Sequence, residues 1–233
     1  MGNPSPVTEE DSGDLRWAGL ASIGGSLLFI LIFAIVIVFA GSEPAGPAGP
    51  IMRFPDIRAV RTVENTLYLA VMVLWVPLFL ALYRSLRTTS RGPALFGSTL
   101  SVLGLGVLAA GALPHVATVR LSDLYHAPDA TANDKATLVL LWQATQGVFD
   151  ALLLAGLLLT TAGVIVLGMA MHGDPTFGRW AGRVSVVLGI VGVVAGAIVL
   201  VDPLSSTAAL GIFALIIFHL VVGWKVYRLY RAP

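Results

Sequence analysis

The hydrophobic stretch at residues 137–171 is the feature that most limits what this chain can fold into. It runs for 35 residues and contains a single charged side chain, that of Asp150. As one helix it would measure about 52 Å, whereas the hydrocarbon core of a bilayer is only about 30 Å thick. The stretch therefore indicates a membrane protein in which part of one long helix protrudes from the bilayer.

Five further apolar segments are long enough to cross a bilayer. Charged residues make up 12% of the chain and hydrophobic residues 57%, whereas soluble domains contain about 25% charged residues. The sequence predicts an all-α integral membrane protein with a single domain, residues 15–233, that forms a bundle of six transmembrane helices. The predicted spans are residues 15–40, 67–83, 93–113, 137–171, 180–201 and 207–227.

The positions of the 14 Lys and Arg residues predict the orientation. With both termini in the cytoplasm, nine of them lie on the inner side and five on the outer side, which favours an N-in/C-in protein of the cell inner (plasma) membrane. Residues 1–14 then form an acidic cytoplasmic tail. The inner residues are Arg16, Arg84, Arg87, Arg91, Arg179, Arg183, Lys225, Arg228 and Arg231, and the outer residues are Arg53, Arg58, Arg61, Arg120 and Lys135.

The outer connections differ in character. Residues 42–50 are rich in Pro and Gly and predict a loose linker. Residues 54–64 predict a short helix lying on the outer surface, and residues 119–135 predict a polar loop.

Three polar side chains form a stripe on the fourth predicted helix. Gln143, Gln146 and Asp150 are spaced i, i+3 and i+7, so they share one helix face. If the helix enters the bilayer at residue 137, Asp150 lies near the midplane, where a carboxylate costs at least about 2.5 kcal/mol. If residues 151–171 are the embedded part, Asp150 lies at the outer interface and the glutamines stand outside it. Both registers fit the sequence.

His219 is the one histidine well inside a predicted span. It either hydrogen-bonds to a neighbouring carbonyl group as a packing residue or pairs with Asp150, whose charge a nearby imidazolium would stabilise. The pair requires the deep register of the fourth helix.

No cofactor is predicted from the sequence. The chain has no Cys, and His115 and His219 are at different depths, which excludes a haem held between them. Phosphate-binding and hydrolase motifs are missing, and no basic tract suggests nucleic acid. A metal site in the outer loops is the remaining alternative, with His115, Asp123, His126 and Asp129 as its candidate ligands.

Small and aromatic residues indicate how the helices pack and where they end. Gly192 and Gly196 form a small-xxx-small pair that serves either packing within the chain or a homo-oligomer seam, and other membrane subunits are further candidate partners. The interfacial anchors predicted at the inner headgroups are Arg179, Trp180, Arg183 and Trp224.

The connection between the fourth and fifth helices carries a family resemblance. A long helix ending Gly-Met-Ala-Met at residues 168–171, a short turn over residues 172–182 and a Gly-rich helix follow one another. Over residues 60–200 the chain resembles the bacterial membrane proteins grouped as the domain-of-unknown-function 4386 family, in which a Phe-Leu-Pro-Arg-like turn precedes a Leu-Gly-rich helix. Phe177 and Arg179 match that turn, while Gly178 stands where the family has Pro. The resemblance implies a six-helix bundle and no catalytic residue.

Three functions are consistent with these features. The shortage of buried polar groups favours a non-enzymatic membrane protein, such as an accessory or scaffold subunit in the bilayer. The polar stripe with His219 suggests a small proton- or ion-coupled transporter. The outer His and Asp residues suggest a membrane enzyme with a metal site.

Overall fold

The computed structural model describes residues 9–41, 44–202 and 205–229, with side chains from Gly13 onward. Six segments are helical and apolar enough to cross a membrane, α3 and α4 together forming one of them. Predictions for residues 1–8, Ser42, Glu43 and Arg231 fall outside the described residues. The elements are α1 (Glu9–Ile35) with a π-helical turn (Val36–Ala40), α2 (Gly49–Leu86), α3 (Arg91–Ala110), α4 (Ala112–Tyr125), α5 (Ala132–His172), α6 (Gly178–Val201) and α7 (Ala208–Leu229).

Three helices extend further than predicted. α1 begins at Glu9, inside the predicted acidic tail. α2 is continuous over 38 residues, so the predicted surface helix at 54–64 is its first part; no Gly or Pro lies between residues 56 and 76 to interrupt it. α4 covers the first half of the predicted polar loop. The prediction of a separate surface helix is therefore wrong.

A capping box begins α5 ahead of its hydrophobic stretch. The Asp134 backbone N–H donates to the Thr131 hydroxyl oxygen at 3.2 Å, and the Thr131 backbone N–H donates to the Asp134 carboxylate at 3.0 Å. These two bonds satisfy backbone donors that a helix start leaves unpaired. The long helix is thus 41 residues, six longer than the hydrophobic stretch itself.

Glycines allow α5 to lie very close to α3. A Cβ atom added at Gly104 would lie 2.6 Å from the backbone nitrogen of Thr160, and one at Gly163 would lie 2.6 Å from the carbonyl oxygen of Gly97. Real Cβ atoms do not approach this closely, so these positions accept only glycine without a shift of the backbone. Small residues at such contacts are the usual means by which membrane helices pack.

The opposite side of α5 packs on α6 in the same way. A Cβ atom at Gly192 would lie 2.2 Å from the Thr161 Cγ2 atom, and one at Gly196 would lie 2.7 Å from Leu158. The glycine face predicted either for the bundle or for an oligomer seam is therefore buried against α5 of the same chain.

Contacts between helices show where each one ends. Gly196 of α6 faces Leu158 of α5, and Gly211 of α7 faces Leu157. Since α6 ends at Val201 and α7 begins at Ala208, the C-terminus of α6 and the N-terminus of α7 both lie about level with residues 153–154 of α5. The first part of α5 therefore extends roughly 30 Å beyond them.

We call the end of the bundle where α1 begins and α7 ends the terminal end, and the opposite end the extended end. At the extended end, residues 49–62 of α2, the whole of α4 and residues 132–150 of α5 continue beyond α6 and α7. These three segments are called the projection. The projection has a small hydrophobic core of its own, formed by Ile51, Phe54 and Trp142, separate from the main core of the bundle.

Candidate functional site

A cleft of about 1010 Å³ lies at the extended end, between α2, α4 and α5. Its size matches the upper end of the range typical of small-molecule sites, about 300–1,000 Å³. The Pro- and Gly-rich linker contributes to its wall through Pro44, Gly46, Pro47 and Pro50. The polar and charged side chains that line it are Arg53, Arg61, Thr62, Glu64, Asn65, Thr66, His115, Thr118, Gln143, Gln146 and Asp150.

The predicted polar stripe forms one wall of this cleft. Gln143, Gln146 and Asp150 all line it, which agrees with their spacing on one helix face. No described residue offers any of the three a hydrogen bond or an ion pair. Asp150 lies three residues before the level at which α6 ends, and its side chain is exposed.

The opposite wall is supplied by α2, and its charged groups are engaged within the protein. Arg61 forms an ion pair with Glu64 at 2.9 Å, and an Arg53 guanidinium N–H donates to the carbonyl oxygen of Ala40. The two walls therefore differ, because the α2 side is internally paired whereas the α5 side presents free acceptors and donors.

The base of the cleft is held at the break between α3 and α4. The Asn65 side-chain N–H donates to the Ala112 carbonyl oxygen at 3.4 Å, and the Tyr68 hydroxyl donates to the Leu108 carbonyl oxygen at 2.9 Å. Both carbonyl groups flank Gly111, where the helix is interrupted. These bonds join α2 to the chain on either side of the break.

His115 joins the cleft from α4. Its ring stacks on Phe149 of α5, with ring centroids 4.6 Å apart and planes 29° apart. Neither ring nitrogen has a hydrogen-bond partner among the described residues. His115 is thus the one predicted metal ligand that the structure places beside the polar stripe.

The other three predicted metal ligands lie apart from it. Asp123 pairs with Arg58 at 2.8 Å, His126 Nδ1 donates to the Ser122 carbonyl oxygen at 2.9 Å, and Asp129 is exposed in the loop after α4. In the part of the chain that the structure describes, no three His, Asp or Glu side chains come together in a way that could hold a metal ion. The predicted metal site is not assembled because Asp123 turns toward α2 instead.

His219 is fully buried in the middle of the bundle. Its Nδ1 atom lies 3.1 Å from the Ser22 hydroxyl oxygen, and its ring stacks on Trp75 with centroids 4.1 Å apart. Phe79 contacts the same ring edge-on at 5.2 Å. The histidine therefore joins α7 to α1 and α2 as a packing residue.

His219 and Asp150 are not brought together. His219 lies eight residues after Gly211, which is level with Leu157, so it is about level with residue 165 of α5. This places it roughly 22 Å from Asp150 along the bundle axis. The pair considered from the sequence is not formed, because Asp150 lies about four helical turns from the level of His219 along α5.

The predicted interfacial anchors lie together at the terminal end. Trp180 is 64% exposed and Trp224 is 53% exposed, and both Arg179 and Arg183 are exposed as well. Exposed aromatic and basic side chains at a helix end are typical of the headgroup region of a bilayer.

The turn that carries the family resemblance is held by a carboxylate that sequence reasoning did not identify. Asp174 is 4% exposed. Its oxygens accept hydrogen bonds from the backbone N–H groups of Thr176 and Phe177, at 2.8 and 3.4 Å, and from the Thr89 hydroxyl at 2.7 Å. It thereby joins the α2–α3 connection to the α5–α6 turn.

Sequence reasoning also missed the α2 side of the cleft. Arg61, Glu64 and Asn65 have the i, i+3 and i+4 spacing that places them on one helix face. That spacing was the available signal, but the prediction assigned Arg61 and Glu64 to a separate surface helix over residues 54–64 and left Asn65 outside any helix.

A family model described as "Domain of unknown function (DUF4386)" matches residues 22–231, which is most of the chain. No curated protein and no solved structure matches the chain.

Proposed function

Since the chain belongs to the family described as Domain of unknown function (DUF4386), which supplies no activity to transfer, we propose a function from its own geometry. It is a non-enzymatic, multi-pass membrane protein that binds a small polar ligand in the cleft at its extended end. The ligand carries hydroxyl or amino groups, because the free wall of the cleft offers a carboxylate and two amide groups. Such a binding role suits an accessory subunit.

In this proposal the extended end faces outward from the cell inner (plasma) membrane, and both termini are cytoplasmic. The support is the excess of Lys and Arg residues at the terminal end, where eight of the described ones lie, against five at the extended end. The exposed Trp180 and Trp224 at that end suit the inner headgroups. The projection then stands in the outer aqueous phase, directly above the bilayer surface.

One observation carries the binding proposal: the protein leaves four polar side chains without hydrogen-bond partners around a single cleft. They are Asp150, Gln143, Gln146 and His115. A ligand that replaces water at these groups gains hydrogen bonds worth about 1.5–3 kcal/mol each at the charged Asp150 carboxylate and about 0.5–1.5 kcal/mol each at the other three groups. Phe149, stacked under His115, adds an apolar surface on which the carbon skeleton of the ligand can rest.

The bundle below the cleft supports binding over transport. Its buried hydroxyl groups donate to backbone carbonyl oxygens, as Thr160 does to Gly156 at 2.7 Å and Ser98 to Phe79 at 2.9 Å. Within the described residues, no charged side chain is buried between the two ends of the bundle, and His219 is the one buried titratable group there. A carrier needs a polar path that can be exposed to both sides, and these hydroxyl groups are already paired with backbone carbonyl oxygens.

Thermal unfolding of the purified, full-length protein tests the binding proposal. A panel of sugars, polyols, amino acids and polyamines is added, and a ligand that binds the folded state raises the midpoint by an amount that grows with the logarithm of its concentration relative to Kd. Asp150→Asn should weaken that binding about tenfold or more, while leaving the unliganded midpoint unchanged, because the carboxylate makes no bond within the described protein.

Asp129→Asn is the matched control, since Asp129 is exposed at the same end but lies outside the cleft. The proposal fails if no compound raises the midpoint, or if Asp129→Asn weakens binding as much as Asp150→Asn. Uptake of the bound compound into proteoliposomes would instead establish the transporter function.

The natural absence of Cys allows a clean test of orientation. Single cysteines at positions 143 and 87 are treated in intact cells with a maleimide that cannot cross membranes. Labelling at 143 alone is expected. Labelling at 87 alone would reverse the proposed orientation and place the cleft in the cytoplasm.

A further inference from the structure

A second concave surface lies at the terminal end, between the first turns of α1 and the last turns of α2. It encloses about 470 Å³. Leu15 and Ala18 of α1 and Ala81 of α2 form its buried apolar floor, at 3–6% exposure. We call this surface the terminal groove.

Positive charge is concentrated at one edge of the terminal groove. Arg84 and Arg87 both line it and are exposed, and their i, i+3 spacing makes them neighbours on the helix surface. Arg84 forms an ion pair with Asp14, with 3.3 Å between the guanidinium nitrogen and the carboxylate oxygen. The Arg87 side chain has no hydrogen bond or ion pair with any described residue. Two positive groups and one negative group leave the lining with a net charge of +1.

The terminal groove has an apolar floor with arginines at one edge, and it lies at the end of a helix that can cross a bilayer. These features match the acyl chain and the charged headgroup of a lipid. We propose that the terminal groove binds one anionic phospholipid, with an acyl chain along Ala18 and Leu80 and the phosphate at Arg84 and Arg87. The single negative charge of the headgroup neutralises the net charge of the lining. A zwitterionic headgroup is the weaker ligand, because its ammonium group is repelled by the same arginines.

The groove lies at the opposite end of the bundle from the cleft. Lipid binding there is therefore independent of ligand binding at Asp150 and requires only that the bundle sits in a bilayer. A failure of either proposal leaves the other intact.

Native mass spectrometry of the full-length protein tests the lipid site. The protein is extracted from nanodiscs of mixed phosphatidylglycerol and phosphatidylcholine, and the number of retained molecules of each lipid is counted. The wild-type chain is expected to retain one phosphatidylglycerol in preference to phosphatidylcholine. Arg87→Gln should lower that preference about fivefold, the effect of one basic residue near an anionic headgroup, and Arg87→Lys should restore most of it.

Arg228→Gln is the matched control, because it removes an exposed positive charge at the same end that does not line the groove. It should leave the preference unchanged. An equal loss with Arg228→Gln would overturn the proposal, since it would indicate only a general attraction of the surface for anionic lipid.

Leu80→Trp separates a lipid site from a simple anion site. The indole ring fills the apolar part of the groove while both arginines remain, so retention of phosphatidylglycerol should fall. Leu80 is 52% exposed, so the folded bundle can accept the larger side chain. Unchanged retention in this variant, together with full displacement of the lipid by inorganic phosphate, would show a phosphate site without a lipid chain and would refute the proposal.

Discussion

Helix α5 passes through two regions of the molecule that are packed in different ways. In the bundle, glycines bring it into backbone contact with α3 on one side and α6 on the other. In the projection, the same helix makes one comparable buried contact, between Trp142 and Phe54, whose ring centroids lie 5.3 Å apart. Leu140 and Leu141, its neighbours, are exposed.

The difference also applies to polar groups. In the bundle, buried hydroxyl groups donate to backbone carbonyl oxygens of the protein, as Thr160 does to Gly156, because a buried polar group needs a partner there. The projection leaves Asp150 and both glutamines unpaired, which is inexpensive where water or a ligand can reach them. The two regions therefore differ in how their polar groups are satisfied, and they should respond separately to substitution.

Trp142→Ala is expected to have the largest effect, confined to the projection. Loss of a buried Trp costs about 3–5 kcal/mol, and the small core contains only two other fully buried members. Hydrogen exchange should accelerate in α4 and the first turns of α5 and stay unchanged in α6. Leu141→Ala, at an exposed neighbouring position, is the control. Equal acceleration in α6 would show that the two regions unfold as one unit.

Gly104→Ala tests how closely α3 packs on α5 in the bundle. The added Cβ atom meets the backbone of Thr160 at 2.6 Å, so we expect a loss of about 1–3 kcal/mol and a lower unfolding midpoint in detergent. Gly106→Ala, two residues along the same helix with no atom within 4 Å of its added Cβ, should be neutral or slightly stabilising. Similar midpoints for the two variants would contradict the close packing of α3 on α5.

Local patterns in the sequence were enough for the bundle and for one wall of the cleft. Six hydrophobic segments predicted six helices that can cross a membrane, as found. The i, i+3, i+7 spacing of Gln143, Gln146 and Asp150 predicted their shared face, since helix geometry alone determines it.

Contacts between distant segments could not be predicted in this way. The opposite wall of the cleft comes from α2, about 80 residues earlier in the chain, and the register of α5 depends on where α6 and α7 happen to end. Ser22 meets His219 across 197 residues. Nothing in the local pattern around either residue indicates the other, so the histidine could be placed in the bundle but not given its partner.

The smallest effect is expected from the ion pair on the surface of the projection. Arg58 and Asp123 join α2 to α4 at 2.8 Å, but their side chains are 48% and 45% exposed, and exposed pairs contribute about 0–1 kcal/mol. Asp123→Asn should therefore leave hydrogen exchange in α4 nearly unchanged. A double-mutant cycle with Arg58→Gln, at low and high salt, measures the coupling directly. A coupling well above 1 kcal/mol would mean that charge, and not the Trp142 core, holds the projection together, and the contrast between the two regions would then rest on electrostatics instead of packing.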